Sequence, residues 1–208
     1  MIDISVPLAA AIPAWPGDQA FSCGWTCRRE DGASVNLAAV TTSLHAGTHA
    51  DAPLHVESGW SASEALAVDA FVGPCTVITL PDAHPVSVDI SVEHLRAMLG
   101  ADARPARLLL RTGFTVATGH FPADWPTLST EAAEWLVQRG LRLWGVDAPS
   151  VDRRESKTLP VHHVLLGRGA FVLENLDLRA VLPGTYELLA PPLSVVGADA
   201  APVRALLR

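Results

Sequence analysis

Three imidazoles and one carboxylate fall within eleven residues of this chain, in the stretch His45-Ala-Gly-Thr-His49-Ala-Asp51-Ala-Pro-Leu-His55. Imidazole and carboxylate are the side chains that bind zinc or manganese and that move protons near neutral pH. In a chain of which only 18% is charged, that density points to a metal site, and a metal site of this kind points to an enzyme. His45 and His49 have the four-residue spacing that places two ligands on one helical face. Gly47 between them and Pro53 beyond them disfavour a helix. In an extended segment, residues of equal parity share a face, and His45, His49, Asp51 and His55 are all odd-numbered. The stretch is therefore expected to be extended or gently turning, with all four groups facing one cavity. Gly47 would permit close approach, and Pro53 would fit a strand end. Taken singly, each His reads as a hydrogen-bonded or solvated residue and Asp51 as a turn former. It is the set that carries the metal reading.

Further donors lie in the second half of the chain. His162 and His163 open an expected short helix, and Glu174 follows the apolar run Ala170–Leu173. A carboxylate at that place reads either as a buried group with a partner or as a strand-end residue reaching solvent. Trp15, in Ala14-Trp15-Pro16-Gly17-Asp18, reads either as a platform for an aromatic ligand or as a core lid.

The elements that must position these groups follow from patterning. Val35–Ser43 reads as a strand leading into the His stretch. Cys75–Leu80, Arg107–Thr112, Leu143–Val146 and Ala170–Leu173 read as buried strands, and Thr185–Leu189 and Val203–Leu207 as later ones. Ser91–Leu99 reads as a helix ended by Gly100. Thr130–Arg139 reads as a second, with Ser129 as N-cap and Gly140 at its end. Val161–Leu166, after Pro160, is a third. The sum is a mixed α/β (α+β) domain spanning residues 1–208, with more strands than helices.

Composition narrows the function. The 15 basic and 22 acidic residues give a net charge of −7, which argues against a nucleic-acid partner. No apolar run approaches the roughly 20 residues needed to span a bilayer. Met1-Ile-Asp-Ile-Ser lacks the basic start of a signal peptide, so a cytoplasmic protein with a small-molecule substrate is expected. Three cysteines (Cys23, Cys27 and Cys75) give no disulfide framework and read as reduced structural thiols.

These residues resemble a known family. The motif His-x-Gly-Thr-His-x-Asp-x-Pro-x-His, which residues 45–55 match at every specified position, is that of the cyclase-like metal-dependent hydrolases. Among them the chain is similar to the bacterial kynurenine formamidases (arylformamidases). Trp15-Pro-Gly-Asp18, Gly145-Val-Asp147-Ala-Pro-Ser150, Glu155-Ser-Lys157-Thr with His162-His163, Leu173-Glu174-Asn-Leu and the terminal Ala200-Ala-Pro-Val-Arg-Ala resemble the same group. The resemblance implies a compact swivelling β/β/α-type domain, dimeric or sometimes tetrameric. It implies two divalent metal ions, by default Zn2+, with Mn2+ as the alternative. His45, His49 and Asp51 would hold the first, and Asp51 would bridge to a second completed by His162 and Glu174, with Glu174 touching both. His162 is preferred to His163 because its twelve-residue separation from Glu174 resembles the family pattern. His55 would be the general acid/base and Trp15 part of the substrate pocket.

The implied substrate is N-formyl-L-kynurenine, hydrolysed to L-kynurenine and formate. Arg28, Arg29, Arg153 and Arg154 are all candidates for its carboxylate. Two rival readings share the donors: a cyclic amidase acting on isatin, and a metal-stabilised binding protein without turnover. Structural zinc sites favour closed Cys/His shells, whereas these donors are rich in carboxylate and leave one His to spare, which favours catalysis.

Overall fold

Four runs of apolar residues are buried on both faces and pair in parallel, and this decides the architecture. The computed structural model describes residues 1–208. In chain order the elements are β1 (Ile2–Asp3), β2 (Ser22–Cys27), β3 (Leu37–Thr41), β4 (His49–Asp51), β5 (Val72–Thr79), α1 (Val92–Leu99) and β6 (Arg107–Arg111). There follow α2 (Thr130–Gln138), β7 (Leu143–Val146), α3 (Pro160–Gly167), β8 (Phe171–Glu174), β9 (Gly184–Leu189), β10 (Ala200–Pro202) and β11 (Leu206–Leu207). Nine strands form one sheet in the order β1-β11-β9-β5-β6-β7-β8-β4-β10. Strands β5 to β8 run parallel, and each successive pair is joined through one helix, as parallel neighbours require. The antiparallel strands extend the sheet at both edges. The chain is thus a mixed α/β protein built on one large sheet and three short helices.

Alternation sorts the strand residues into two cores. Leu108, Leu110, Trp144, Val146 and Val172 face the helices and pack with Leu95, Leu136 and Leu165. Leu109, Leu143, Leu173 and Leu188 face the other way and pack with Ile4, Phe71 and Leu178. Gly145 belongs to this second face. A Cβ there would lie 2.4 Å from Leu109 Cδ2 and 3.1 Å from Leu176 Cδ1.

Most expected elements form within a few residues of their expected bounds. Ser91 and Ser129 cap α1 and α2, accepting from the backbone N–H of His94 and Ala132. Two expectations need correction. Val203–Leu207 is not one strand: Pro202 ends β10, Val203 makes only an isolated bridge to Pro192, and β11 begins at Leu206. Val35–Ser43 contains β3, but β3 pairs only with β2, in an exposed two-stranded ribbon apart from the main sheet. Turns then separate β3 from β4. No helix is long and apolar enough to cross a membrane.

The close approach of β6 and β7 side chains generates a prediction. Gly145→Ala should lower stability by about 1–3 kcal/mol through overpacking, read as a lower urea midpoint with an unchanged slope. An unshifted midpoint would mean that Leu109 yields without cost.

Candidate metal centre

Register brings the first three donors together. In the antiparallel pair of β4 and β8, His49 stands opposite Glu174 and Asp51 opposite Val172, so His49, Asp51 and Glu174 project from one sheet face. That is the face the helices cover, and α3 contributes His162 near its N-terminus. The His stretch itself is not extended throughout, as parity alone would have it. Only His49–Asp51 is strand. His45 precedes it in a turn, and Pro53–His55 forms a 3-10 turn after it. The convergence survives because Gly47 adopts φ +65°, folding His45 back over His49, with ring centroids 4.8 Å apart.

The resulting cluster is dense and dry. His49 Nε2 lies 3.4 Å from both Asp51 Oδ1 and Glu174 Oε2. His45 Nδ1 lies 3.2 Å from Asp51 Oδ1. His162 Nε2 lies 3.2 Å from Asp51 Oδ2 and 3.3 Å from Glu174 Oε1. Donor atoms of His49, Asp51 and Glu174 all lie within 4.8 Å of one another, and so do those of His45, Asp51 and His55. Asp51 is common to both groups. His49, Asp51, His162 and Glu174 are buried, while His45 and His55 are partly exposed.

Each buried imidazole is anchored through the nitrogen that faces away from the cluster. His49 Nδ1–H donates to the Gly47 carbonyl at 2.9 Å. His162 Nδ1–H donates to Asp152 at 2.7 Å. Asp152 also accepts from the backbone N–H of Val161 and His162, so it caps α3 from a distance. Glu174 Oε1 accepts from Val151 N–H at 2.8 Å. Such outer partners hold a ligand nitrogen in its basic tautomer.

Within the cluster, two of the buried atoms are left without a hydrogen-bond partner, His49 Nε2 and Asp51 Oδ1. Buried polar atoms are rarely orphaned, and these two face each other across the cluster. The donor set of imidazole nitrogens and carboxylate oxygens is one that suits a divalent metal ion.

Charge within the cluster is strongly coupled. Burial pulls the imidazole of His49 toward the neutral form, but Asp51 and Glu174 outweigh it and raise its pKa to about 10. Burial acts likewise on His45, where Asp199 and Asp51 prevail and bring it to about 9. His162 is raised well above the usual value, with Asp152, Asp51 and Glu174 overcoming burial. Burial would raise Asp51, yet His162, His45 and His49 hold it well below the usual carboxylate range.

Above the cluster lies a cavity of about 280 Å³, lined among others by Trp15, His45, His55, Phe121, His162 and Glu174. Trp15 is edge-on to Phe121 and Trp125, with centroids 5.4 and 6.0 Å away. His163 turns away from the cluster and packs edge-on against Trp60, 5.9 Å off. Of the four arginines, Arg28 pairs with Glu30, and Arg153 is committed to Asp89 and Asp124. Arg29 lies at the turn between β2 and β3. Arg154 stands 5.8 Å from the Phe121 ring and 3.9 Å from Glu155.

Sequence reasoning missed three groups. Asp152 is visible only as one of two carboxylates, the other being Glu155, shortly before His162-His163. Asn175 lines the cavity at φ +54° with its Oδ1 unpartnered, and only its place after Glu174 hinted at it. Asp199, which touches His45 and His55, gave no signal beyond being a charge in an apolar C-terminal stretch.

A family model described as a putative cyclase matches residues 2–153. The chain belongs to the cyclase family. A kynurenine formamidase of Bordetella avium is 44% identical to it over 206 residues, 99% of this chain and 96% of its own. A solved potential metal-dependent hydrolase with cyclase activity superimposes with a TM-score of 0.79 at 27% identity, over 99% of this chain and 95% of its own. Isatin hydrolase A from Labrenzia aggregata has the same fold, with a TM-score of 0.85 at 23% identity over 99% of this chain and 92% of its own.

The raised imidazole pKa values yield a pH prediction. A metal held by His45 and His49 must displace their protons, so apparent affinity should rise as pH increases from about 7 to 10. Without metal the sign for stability is opposite. Folded values of about 9 and about 10 stand above the unfolded imidazole value near 6.5. The stabilisation is therefore complete below that value and is lost as pH rises through about 9 to 10. Calorimetry of chelated protein and competitive metal titration across this range check both halves. A flat affinity profile would contradict the charge state.

Proposed function

We propose that this chain is a metal-dependent arylformamidase that hydrolyses N-formyl-L-kynurenine to L-kynurenine and formate. The observation that carries the reading is the position of His55. It is an imidazole not committed to the buried donor pairs, and it lines the aromatic-walled cavity beside His45, His162 and Glu174. The near-full-length likeness to a kynurenine formamidase supports the choice of substrate over isatin, for which only the shared fold speaks.

We assign two divalent ions, zinc before manganese, to the cluster. His45, His49 and Asp51 would hold one, and Asp51, His162 and Glu174 would hold the other. The unpartnered atoms of His49 and Asp51 and the two sides of Asp51, with Oδ1 facing His45 and His49 and Oδ2 facing His162, support this. Ions bound there supply Lewis acidity and lower the pKa of water from about 16 toward 7. The chain does the rest. Trp15 and Phe121 hold the aryl group in the cavity and exclude water from it. His55 Nε2 takes a proton from the attacking water and delivers one to the aniline nitrogen as the formyl C–N bond breaks, so that a neutral amine leaves. Water adds across one bond, and formate and the amine account for all atoms. Arg154, beside Phe121, is the arginine best placed for the substrate carboxylate.

We further propose that the protein works in the cytoplasm as a homodimer. Its three cysteines are unpaired. The β2–β3 ribbon exposes Trp25, Leu37 and Val40, and an isolated two-stranded ribbon is marginal in water. With its turn it comprises about twenty residues, close to the 20–30 a standard interface takes from each side.

Metal-replete protein should turn over N-formylkynurenine far faster than isatin in a spectrophotometric assay; a preference for isatin would reverse the assignment. His55→Ala should lose about 10²–10⁴-fold in kcat while keeping its metal, and Glu174→Ala should bind less metal by elemental analysis. Full activity in the first variant, or wild-type metal content in the second, would remove the corresponding role. For the dimer, Val40→Asp should shift sedimentation toward the monomer. A wild-type protein that sediments as a monomer at every concentration would end that proposal.

A further inference from the structure

The C-terminal strand brings a third carboxylate to the His stretch. Asp199 Oδ2 lies 3.0 Å from His45 Nε2 and 3.4 Å from His55 Nδ1. Its only ion-pair partners are these two imidazoles; no Lys or Arg reaches it. Its backbone is tied down on both sides. The Asp199 carbonyl accepts from Ala52 N–H at 2.9 Å, the Ala198 carbonyl accepts from Ser63 N–H at 2.8 Å, and the next residue, Ala200, pairs with Asp51. The carboxylate is therefore held in register with the stretch it touches. It does not line the cavity, so it meets both rings from behind.

We propose that Asp199 is a positioning residue that orients His55 and His45 together. This rests on the proton-transfer and ligand roles proposed above. One carboxylate oxygen accepts an N–H from each ring. On His55 the proton is then held at Nδ1, and Nε2 is left as the basic nitrogen for the substrate. On His45 the proton is held at Nε2, and the lone pair of Nδ1 is left on the side of Asp51, 3.2 Å away. The two rings lie 4.4 Å apart at 43°, so an oxygen shared between them also fixes their mutual tilt. Without Asp199, neither outward-facing nitrogen has another partner, and both rings are free to rotate or to take the wrong tautomer. The same carboxylate thus couples the metal-binding half of the stretch to its proton-transferring half.

The test compares wild type, Asp199→Asn, Asp199→Glu, His55→Ala and the double variant His55→Ala/Asp199→Asn. At saturating zinc, Asp199→Asn should lower kcat about 10–100-fold, the range typical of outer partners, with KM within about twofold of wild type. Asp199→Glu should recover part of the loss. In the His55→Ala background, Asp199→Asn should add little, because the two residues act as one unit. Independently of turnover, zinc titration of the chelated Asp199→Asn protein should show affinity weakened about 10–100-fold. Wild-type kcat in Asp199→Asn, or a loss that multiplies that of His55→Ala, would overturn the orientation of His55. Unchanged zinc affinity would overturn the orientation of His45. If Asp199→Asn fails to fold, Asp199→Ser serves in both assays. A wild-type enzyme inactive on the formamide would refute the proposed function instead, and the zinc titration would still decide the His45 half.

Discussion

A carboxylate with no exposed surface, Asp51, sets the terms for the rest of the molecule. Taking an ionised carboxylate out of water costs several kcal/mol even after the protein relaxes. A second one, Glu174, is buried in the same cluster and repels it. The protein meets that cost by surrounding Asp51 with imidazoles on three sides: His45, His49 and His162. Every larger feature near the site serves this arrangement. β8 lies on one side of β4 and supplies Glu174; β10 lies on the other and follows Asp199. α3 closes the face from above with His162. The same compensation makes the cluster receptive to cations, since whatever positive charge sits there, proton or metal, answers the same two buried carboxylates.

Compensation alone would leave the rings free to turn, and a ring that turns points the wrong nitrogen inward. The structure prevents this with one outward anchor per imidazole, each built differently. For His49 the anchor is a backbone carbonyl two residues away, available because Gly47 takes a left-handed conformation there. For His162 it is Asp152, whose bonds to the α3 backbone fix helix and ring as one body. For His45 and His55 it is Asp199, roughly one hundred and fifty residues further along. The anchors grow more distant in sequence as the imidazoles become more exposed.

That gradient explains what could be read from the sequence. α1 and α2 were legible because their stops are local: a Ser N-cap before and a Gly after. β6 and β7 were legible because strands buried on both faces read as short unbroken apolar runs. The residues that converge at the site were also legible, though for a partly wrong reason. Equal parity does align His49 with Asp51 on β4, but His45 and His55 arrive by turns. The choice at Glu174 between a buried and a solvated carboxylate is decided by its pairing opposite His49, a long-range fact that no local pattern contains. Asp152 and Asp199 stayed hidden for the same reason: in sequence a lone Asp reads as a turn former, and its partners are set by strand order. Of the exposed ribbon, β3 was legible within Val35–Ser43, but β2 and its pairing with β3 were not, because their residues answer to no core within this chain.

The difference between His55 and the two buried imidazoles, His49 and His162, is in the end one of backbone path. After Asp51 the strand stops, and Pro53, with no N–H to offer a ladder, starts a 3-10 turn that lifts His55 off the sheet. Its side chain keeps 27% of its surface exposed, against 1% for His49 and 2% for His162. A group that moves protons must exchange them with water or substrate, whereas a group that holds an ion is best kept dry. Within one motif of eleven residues, His49 is dry and His55 is exposed because a single proline changes the direction of the chain between them.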